Sequence, residues 1–254
     1  MKILVCIKQV ADPEGAVFAT DDRIEYGNNP RWRMNRYDEY ALEEALLIRE
    51  AFPGTTVDAV SVGPLRAEIT IRRSLEMGVG RGIHILTGEE GVADPARIAC
   101  RIASYAEGEA YDLILCGVMS EDDMNGQTGP MIAARLGLSC ATAVLSLMLD
   151  STVRTVSVER EIDALTREAV VLTLPAVITV QSGINKPRYP SLSHVLRARS
   201  QDLVLVSEAD GFVRDTILLG FNAPSSSRAG LIFEGTALEK AEQLVSYLHA
   251  QGLF

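Results

Sequence analysis

The sequence predicts an α/β fold: a Rossmann-like, mostly parallel sheet flanked by helices, of the adenine nucleotide alpha hydrolase-like kind. It adds antiparallel strands at one edge and an extended C-terminal arm with a helix. Three observations carry this. Runs rich in Val, Ile and Leu at Lys2–Ile7, Thr56–Val62, Gly82–Thr87 and Asp112–Gly117 are each followed by a stretch of helical spacing, the alternation of a parallel sheet. Pro53-Gly54, Gly78-Val79-Gly80 and Gly137 punctuate the helix ends. After Gly137 the alternation stops: Ala141–Leu149, Thr152–Glu159, Ala169–Leu174 and Ala176–Val180 read as strands with no helix between them, continuing the sheet as antiparallel or mixed pairs at one edge.

Taken in order, Lys2–Ile7 reads as a first buried strand that Lys8 interrupts. The first helix, Tyr37–Glu50, has a wide apolar face of Tyr40, Leu42, Ala45, Leu46 and Ile48, and further helices are expected at Arg66–Met77, Asp94–Glu107 and Gln127–Leu136. A third part begins near Asp202. Within it Asn222–Gly230 is a linker by composition, and Leu238, Ala241, Leu244, Val245 and Leu248 mark Thr236–Ala250 as an amphipathic helix. Its apolar stripe covers either the parent domain or a second subunit. The expected organisation is an α/β domain over 1–202, including a loop at 180–202, and a C-terminal linker, arm and helix over 203–254.

With 254 residues, 47% hydrophobic, 23% charged and 6% aromatic, the composition is that of a soluble globular protein with one main domain and a tail, not of a disordered or fibrous chain. No apolar run approaches the roughly 20 residues of a membrane span, and the first residues lack the apolar stretch of a secretory signal. The expectation is a cytoplasmic protein without membrane insertion. Cys6, Cys100, Cys116 and Cys140 form no Cys-x-x-Cys pair, and the three histidines are scattered, which argues against zinc, iron–sulfur and disulfide frameworks and for small buried thiols. A net charge of −10 disfavours nucleic acid and anionic membranes as partners.

The informative segment runs from Asp112 to Gly137. A buried strand ends at Gly117, a polar turn follows, and a helix begins around Gly126–Pro130, so free N–H groups and a helix N-terminus lie at the carboxyl edge of a parallel sheet, where phosphates bind. Gly126 and Gly129 permit close approach of backbone to a ligand, and Thr128 adds a hydroxyl donor. Neither the Walker pattern nor the dinucleotide fingerprint is present. Glu121, Asp122 and Asp123, with no Lys or Arg between Val118 and Met131, favour a mono- or diphosphate held by backbone amides over a triphosphate with its metal. The bland alternative is that Ser120, Asp122 and Asp123 cap the helix and the glycines serve only the turn. A second feature is Gln181–Gln201, which carries Lys186, Arg188, His194, Arg197 and Arg199 but no acid; it reads as a protruding loop leading into a short helix, suited to an acidic partner or merely solvated. No catalytic triad, metal cage or acid–base pair assembles, which points away from an enzyme active on its own.

At these residues the sequence resembles the β subunit of electron transfer flavoproteins. The likeness extends over Lys2–Val10 with Asp12, Met34–Ala45, Val60–Pro64, Arg72–Gly82, Asp112–Gly137, Val158–Asp163, Leu174–Val180, Asn185–Leu192 and Arg228–Gly235. The resemblance implies an electron carrier rather than an enzyme. Such a carrier is a heterodimer with an α subunit that holds a redox-active FAD, this chain closing over it and its C-terminal helix packing on that subunit. It shuttles electrons from a flavin dehydrogenase, such as one of the acyl-CoA dehydrogenase type, to an acceptor. It also implies an adenine nucleotide in this chain, AMP in most members and a second FAD receiving hydride from NADH in electron-bifurcating ones. Carried over by position, the nucleotide contacts are Cys6, Asn35, Arg36, Tyr37, Asp38, Val62, Gly117, Val118, Met119, Ser120, Glu121, Asp122, Asp123, Met124, Asn125, Gly126, Gln127 and Thr128. The family's recognition loop falls on 180–202, with Leu192 as the apolar anchor and Arg188 and Arg197 steering acidic surfaces. Arg36 stands where the family usually has proline, and Gly117-Val-Met-Ser-Glu-Asp lacks the family's usual basic residue. Gln127-Thr128-Gly129 looks like the AMP type, whereas Pro130 is frequent in bifurcating members. The readings from other classes are a stand-alone adenylylating enzyme using ATP and a nucleotide-sensing interaction protein.

Overall fold

A computed structural model describes residues 1–12, 17–19, 24–27, 30–88, 94–150, 152, 154–163, 165–207, 219 and 230–253. In chain order the elements are β1 (Lys2–Cys6), β2 (Gln9–Ala11), β3 (Val17–Ala19), β4 (Ile24–Tyr26), β5 (Trp32–Met34), α1 (Arg36–Ala51) and β6 (Thr56–Gly63). A 3₁₀ turn (Leu65–Ala67) leads into α2 (Glu68–Met77), β7 (Arg81–Leu86), α3 (Pro95–Glu107), β8 (Leu113–Gly117) and α4 (Thr128–Leu136). Then come β9 (Ser139–Asp150), β10 (Thr155–Glu161), β11 (Arg167–Thr173), β12 (Ala176–Val180), α5 (Leu192–Ser200), β13 (Val204–Val206) and α6 (Ala237–Ala250).

Nine strands form one sheet in the order β11-β10-β9-β12-β8-β1-β6-β7-β13. From β1 the chain first builds outward through α1, β6, α2 and β7, then returns through α3 to lay β8 against the other side of β1. That reversal is reflected in the two faces. Ile3, Val5 and Ile7 pack with Leu42 and Leu46 of α1 and Ile71 and Leu75 of α2, whereas Leu4 and Cys6 pack with Ile102 of α3 and Ile132 of α4. Thus α1 and α2 cover one face, where Ala198 of α5 also packs, and α3 and α4 cover the other, so the central strands are apolar on both sides.

At the far edge the pattern differs from expectation in one respect. Ala176–Val180, expected among antiparallel or mixed pairs at the edge, inserts instead inside the sheet, as β12 in parallel register between β9 and β8. All five of its residues are buried, which suits an interior strand, whereas in β10 Val156 and Val158 are buried and Ser157 and Glu159 exposed, the one-sided pattern of the antiparallel β9–β10–β11 extension. At the other edge β13 pairs in parallel with β7, so the α/β unit runs past Asp202. Contacts divide the chain into Met1–Phe221 and Asn222–Phe254. In the second unit α6 begins with a capping box between Thr236 and Glu239, and Leu238, Leu244 and Val245 are exposed. Of the linker expected at Asn222–Gly230, residues 222–229 lie outside the described residues. No helix among the described residues is long and apolar enough to cross a membrane.

The segment between β12 and α5 is fastened to α1. Asn185 Nδ2 donates to Tyr40 O and to Glu44 Oε2, both at 2.9 Å. Arg188 donates through its backbone N–H at 3.1 Å and through Nε and Nη2 at 2.9 Å to the Glu43 carboxylate, and Glu43 itself is only 4% exposed. A carboxylate this buried requires such a partner, and removing its charge leaves the guanidinium with only the exposed Glu50. Glu43→Gln is expected to lower unfolding stability by about 2–3 kcal/mol in urea titrations and to speed tryptic cleavage after Arg188; unchanged cleavage would show that the segment is held by other contacts.

Candidate functional site

Where β1 and β8 end side by side, at the reversal of strand order, their backbones leave the ladder and their next amides need acceptors. Both find Asp38, in the first turn of α1: the N–H of Lys8 donates to Oδ2 at 2.7 Å and the N–H of Gly117 to Oδ1 at 3.0 Å. Gly117 is required here, since a Cβ would overlap Asp38 Oδ1 and lie 2.7 Å from Tyr37 Cβ. Gly129 is required opposite, where a Cβ would overlap Thr179 Cγ2. Between them lies a cavity at the carboxyl edge of the sheet. Its floor is Cys6, Cys116 and Gly117, one wall is apolar with Val62, Pro95, Ile98 and Ile102, and the other is the loop from Val118 to Gln127 running into α4.

The α4 terminus presents little but amides. Met131 N donates to Gln127 O at 3.0 Å as the first bond of the helix, and Pro130 carries no N–H. The N–H groups of Thr128 and Gly129 are thus the two first-turn donors without an acceptor inside the helix, beside the Thr128 hydroxyl. This is a cradle for one phosphate-sized anion.

The loop's acids are paired from distant positions. Glu121 meets Arg33 of β5 in a fork, with contacts of 2.8 and 3.1 Å, and accepts the Arg36 N–H at 3.1 Å. Burial would raise its pKa, but these donors hold it below the ordinary glutamate value. Lys8 Nζ donates to Ser120 Oγ, Asp122 Oδ1 and Asp123 Oδ2 at 3.1, 2.7 and 2.9 Å. Burial works against its charge, yet the two carboxylates outweigh burial and hold Lys8 above the ordinary lysine value. Asn35 does not cap α1; its Nδ2 donates to Met119 O at 2.9 Å and its Oδ1 accepts the Glu121 N–H at 3.1 Å, clamping the loop's start. Ser120 Oγ also bonds Asp123 Oδ1.

Of the nucleotide contacts expected from sequence, Cys6, Asn35, Asp38, Val62, Gly117, Val118, Met119, Ser120, Asp123, Asn125, Gly126, Gln127 and Thr128 line the cavity. Arg36, Tyr37, Glu121, Asp122 and Met124 do not: the first four brace the floor and loop from behind, and Met124 is 65% exposed. Sequence reasoning missed Ile7, Lys8, Pro95, Ile98, Ile102 and Cys116, while Gly129, singled out for close backbone approach, also lines the cavity. The apolar ones give no signal distinct from core, but the position of Lys8, just past the end of the first strand, is where a residue at a switch point stands. Cys6 and Cys116 are register partners on neighbouring strands; a hydrogen bond between the thiols, then burial, pushes Cys116 well above the ordinary thiol value, so it packs rather than reacts. In the basic segment Leu192 opens α5 and is 75% exposed, with Tyr189 and Leu196 also exposed nearby in the chain. Arg197 is exposed on the same helix, whereas Arg188 is neutralised in place by Glu43 and Glu50.

Comparison with known proteins gives one answer. The family model for the electron transfer flavoprotein domain matches residues 27–210. The chain is 36% identical over 236 residues to the mitochondrial electron transfer flavoprotein subunit beta of Arabidopsis thaliana, covering 91% of this chain and 93% of the relative. It is 30% identical over 260 residues to the electron transfer flavoprotein subunit beta of Bacillus subtilis, covering 99% and 98%, and 34% identical over 213 residues to that of Homo sapiens, covering 83% and 82%.

Burial pushes Asp38 up to about 7, against the hydrogen bonds from Lys8, Asn35 and Gly117 that favour its charged form. The folded chain thus holds a proton that the unfolded chain releases near 3.8. The stability this contributes is full below pH 3.8 and is lost as pH rises to about 7. Asp38→Asn is expected to flatten the stability profile across that window, read by denaturant titration at several pH values. Because one amide oxygen cannot serve both backbone donors, the variant should also be weaker by about 1–2 kcal/mol at acid pH. An unaltered slope would mean that another group carries the pH dependence.

Proposed function

The chain belongs to the electron transfer flavoprotein β-subunit family, and on that premise we propose that it is the β subunit of a heterodimeric electron carrier, holding one adenine mononucleotide, AMP, in the cavity at the β1–β8 switch point. The observation that carries the ligand assignment is the cradle itself: two free first-turn amides and one hydroxyl at α4, facing an apolar wall, inside a loop whose carboxylates are all paired. The residues fit the group. Val62, Pro95, Ile98 and Ile102 take the apolar faces of a purine, and Thr128 and Gly129 take one phosphate.

The redox chemistry belongs to a FAD carried by an α subunit, on which α6 packs. This chain's residues bind, orient and dock. Asp38 fixes the strand ends that form the floor, and the Asn35 clamp fixes the loop. Leu192, exposed at the start of α5, anchors a flavin dehydrogenase, with Arg197 steering its acidic surface; Arg188 serves by pinning the segment that presents the anchor.

An adenylylating enzyme is disfavoured by the charges. Lys8 is the cationic side chain among the described lining residues, and its three N–H groups are already committed to the loop, leaving none for a departing pyrophosphate.

Purified with its α subunit, the complex is expected to release one FAD and one AMP on denaturation, and to keep the AMP through prolonged chelation with EDTA, because the cradle asks for no metal. Two FAD and no AMP would instead identify a bifurcating complex, and loss of AMP on chelation would overturn the amide-held reading. Leu192→Ala should slow electron transfer from the partner dehydrogenase about tenfold or more while the heterodimer survives gel filtration; an unchanged rate would remove the anchor from this position.

A further inference from the structure

Lys8 has more contacts than a lining residue needs. Its backbone N–H is tied to Asp38 at the floor, while its ammonium reaches across to Ser120, Asp122 and Asp123 in the loop. An ammonium has three donors, and all three are used on residues more than a hundred positions away in the chain. Lys8 is therefore not a ligand of the phosphate, although it stands in the cavity. It also acts on one side only: the loop's start is clamped separately by Asn35 and Arg33, whereas Asp122 and Asp123, beyond that clamp, meet Lys8. Beyond the clamp, Asp123, Asn125, Gly126 and Gln127 line the cavity.

We infer that Lys8 is a clasp: a positioning residue that holds the 122–127 limb of the loop closed over the bound nucleotide, a limb that swings away for the nucleotide to leave, and so sets the rate at which it leaves. The inference rests on the nucleotide reading above. Two half-buried ion pairs and a hydroxyl bond must break for the limb to open, in the free site as in the loaded one, so the clasp slows release and entry alike. It also ties the two halves of the site, since Asp38 anchors the residue whose ammonium holds the lid.

The test uses the heterodimer purified with its nucleotide, exchanged for radiolabelled AMP and chased with excess unlabelled AMP. Lys8→Met is expected to release the label about tenfold faster, with association quickened as well. Lys8→Arg, which keeps the charge and the donors, should stay near wild type. Rising salt should speed release from wild type but not from Lys8→Met, and adding Lys8→Met to Asp122→Asn/Asp123→Asn should give no further increase. Release at the wild-type rate from Lys8→Met, or effects that add in the triple variant, would overturn the clasp. Hydrogen exchange of the 118–127 amides in the nucleotide-free complex gives a readout that does not depend on ligand. Faster exchange in Lys8→Met supports the clasp and unchanged exchange overturns it. A wild-type complex that binds no AMP refutes the nucleotide reading, and hydrogen exchange then still decides whether Lys8 holds the loop.

Discussion

One buried carboxylate makes the crevice possible. Two parallel strands that share a ladder must part at a switch point, and each leaves an amide with no partner in a place that water reaches poorly. Asp38 accepts both, from Lys8 and from Gly117, out of the first turn of α1. The arrangement dictates its surroundings: glycine at 117 because the carboxylate and the Tyr37 backbone occupy the space of a Cβ, and an aspartate pushed toward neutrality because burial outweighs its donors. The floor of the site is thus a consequence of how the sheet reverses rather than an addition to it.

The loop above that floor depends on charges brought together by the fold. Read along the chain, Glu121, Asp122 and Asp123 stand without a nearby cation and weigh against any anion beside them. In three dimensions each is paired, Glu121 with Arg33 and the other two with Lys8, whose single charge offsets half of theirs. What remains to receive a phosphate is backbone. The pairing widens what the site can hold, because an anion no longer faces three unpaired negative charges, while the reliance on amides keeps its capacity small.

Which parts of this were legible in sequence follows from the range of the forces involved. The central strands and α1 to α4 announced themselves because periodicity is local and each buries whole faces. The carboxyl-edge placement of Gly117–Thr128 followed, since a strand, a glycine turn and a helix start lie within one short segment. The place of β12 did not, because its apolar run looks the same at an edge as in the middle of a sheet, and only the pairing with β8 tells the two apart. Strands as short as β2, β5 and β13 span too few residues to show a period. The apolar wall of Pro95, Ile98 and Ile102 was hidden as ordinary helix core, and Lys8 was read as the end of a strand, because its acids lie at the other end of a β–α–β excursion.

The segment from 180 to 200 shows the same limit from the opposite side. Composition marks it as one basic island, but the fold separates its charges by task. Arg188 turns inward to a buried glutamate and Asn185 to the backbone of α1, so the stretch before α5 is rigidly mounted. Leu192, Leu196 and Arg197 then project from a helix whose base is fixed. An exposed apolar anchor gains affinity only if its presentation costs little ordering entropy, and the ion pair behind it lowers that cost. The proposed docking element and the proposed nucleotide loop are therefore both mounted on α1, one on Glu43 and Glu44 in its middle and the other on Asn35 at its start, and the Asp38 junction ties that helix to the strand ends. Both surfaces thus share one mount, so a change at α1 is felt at each.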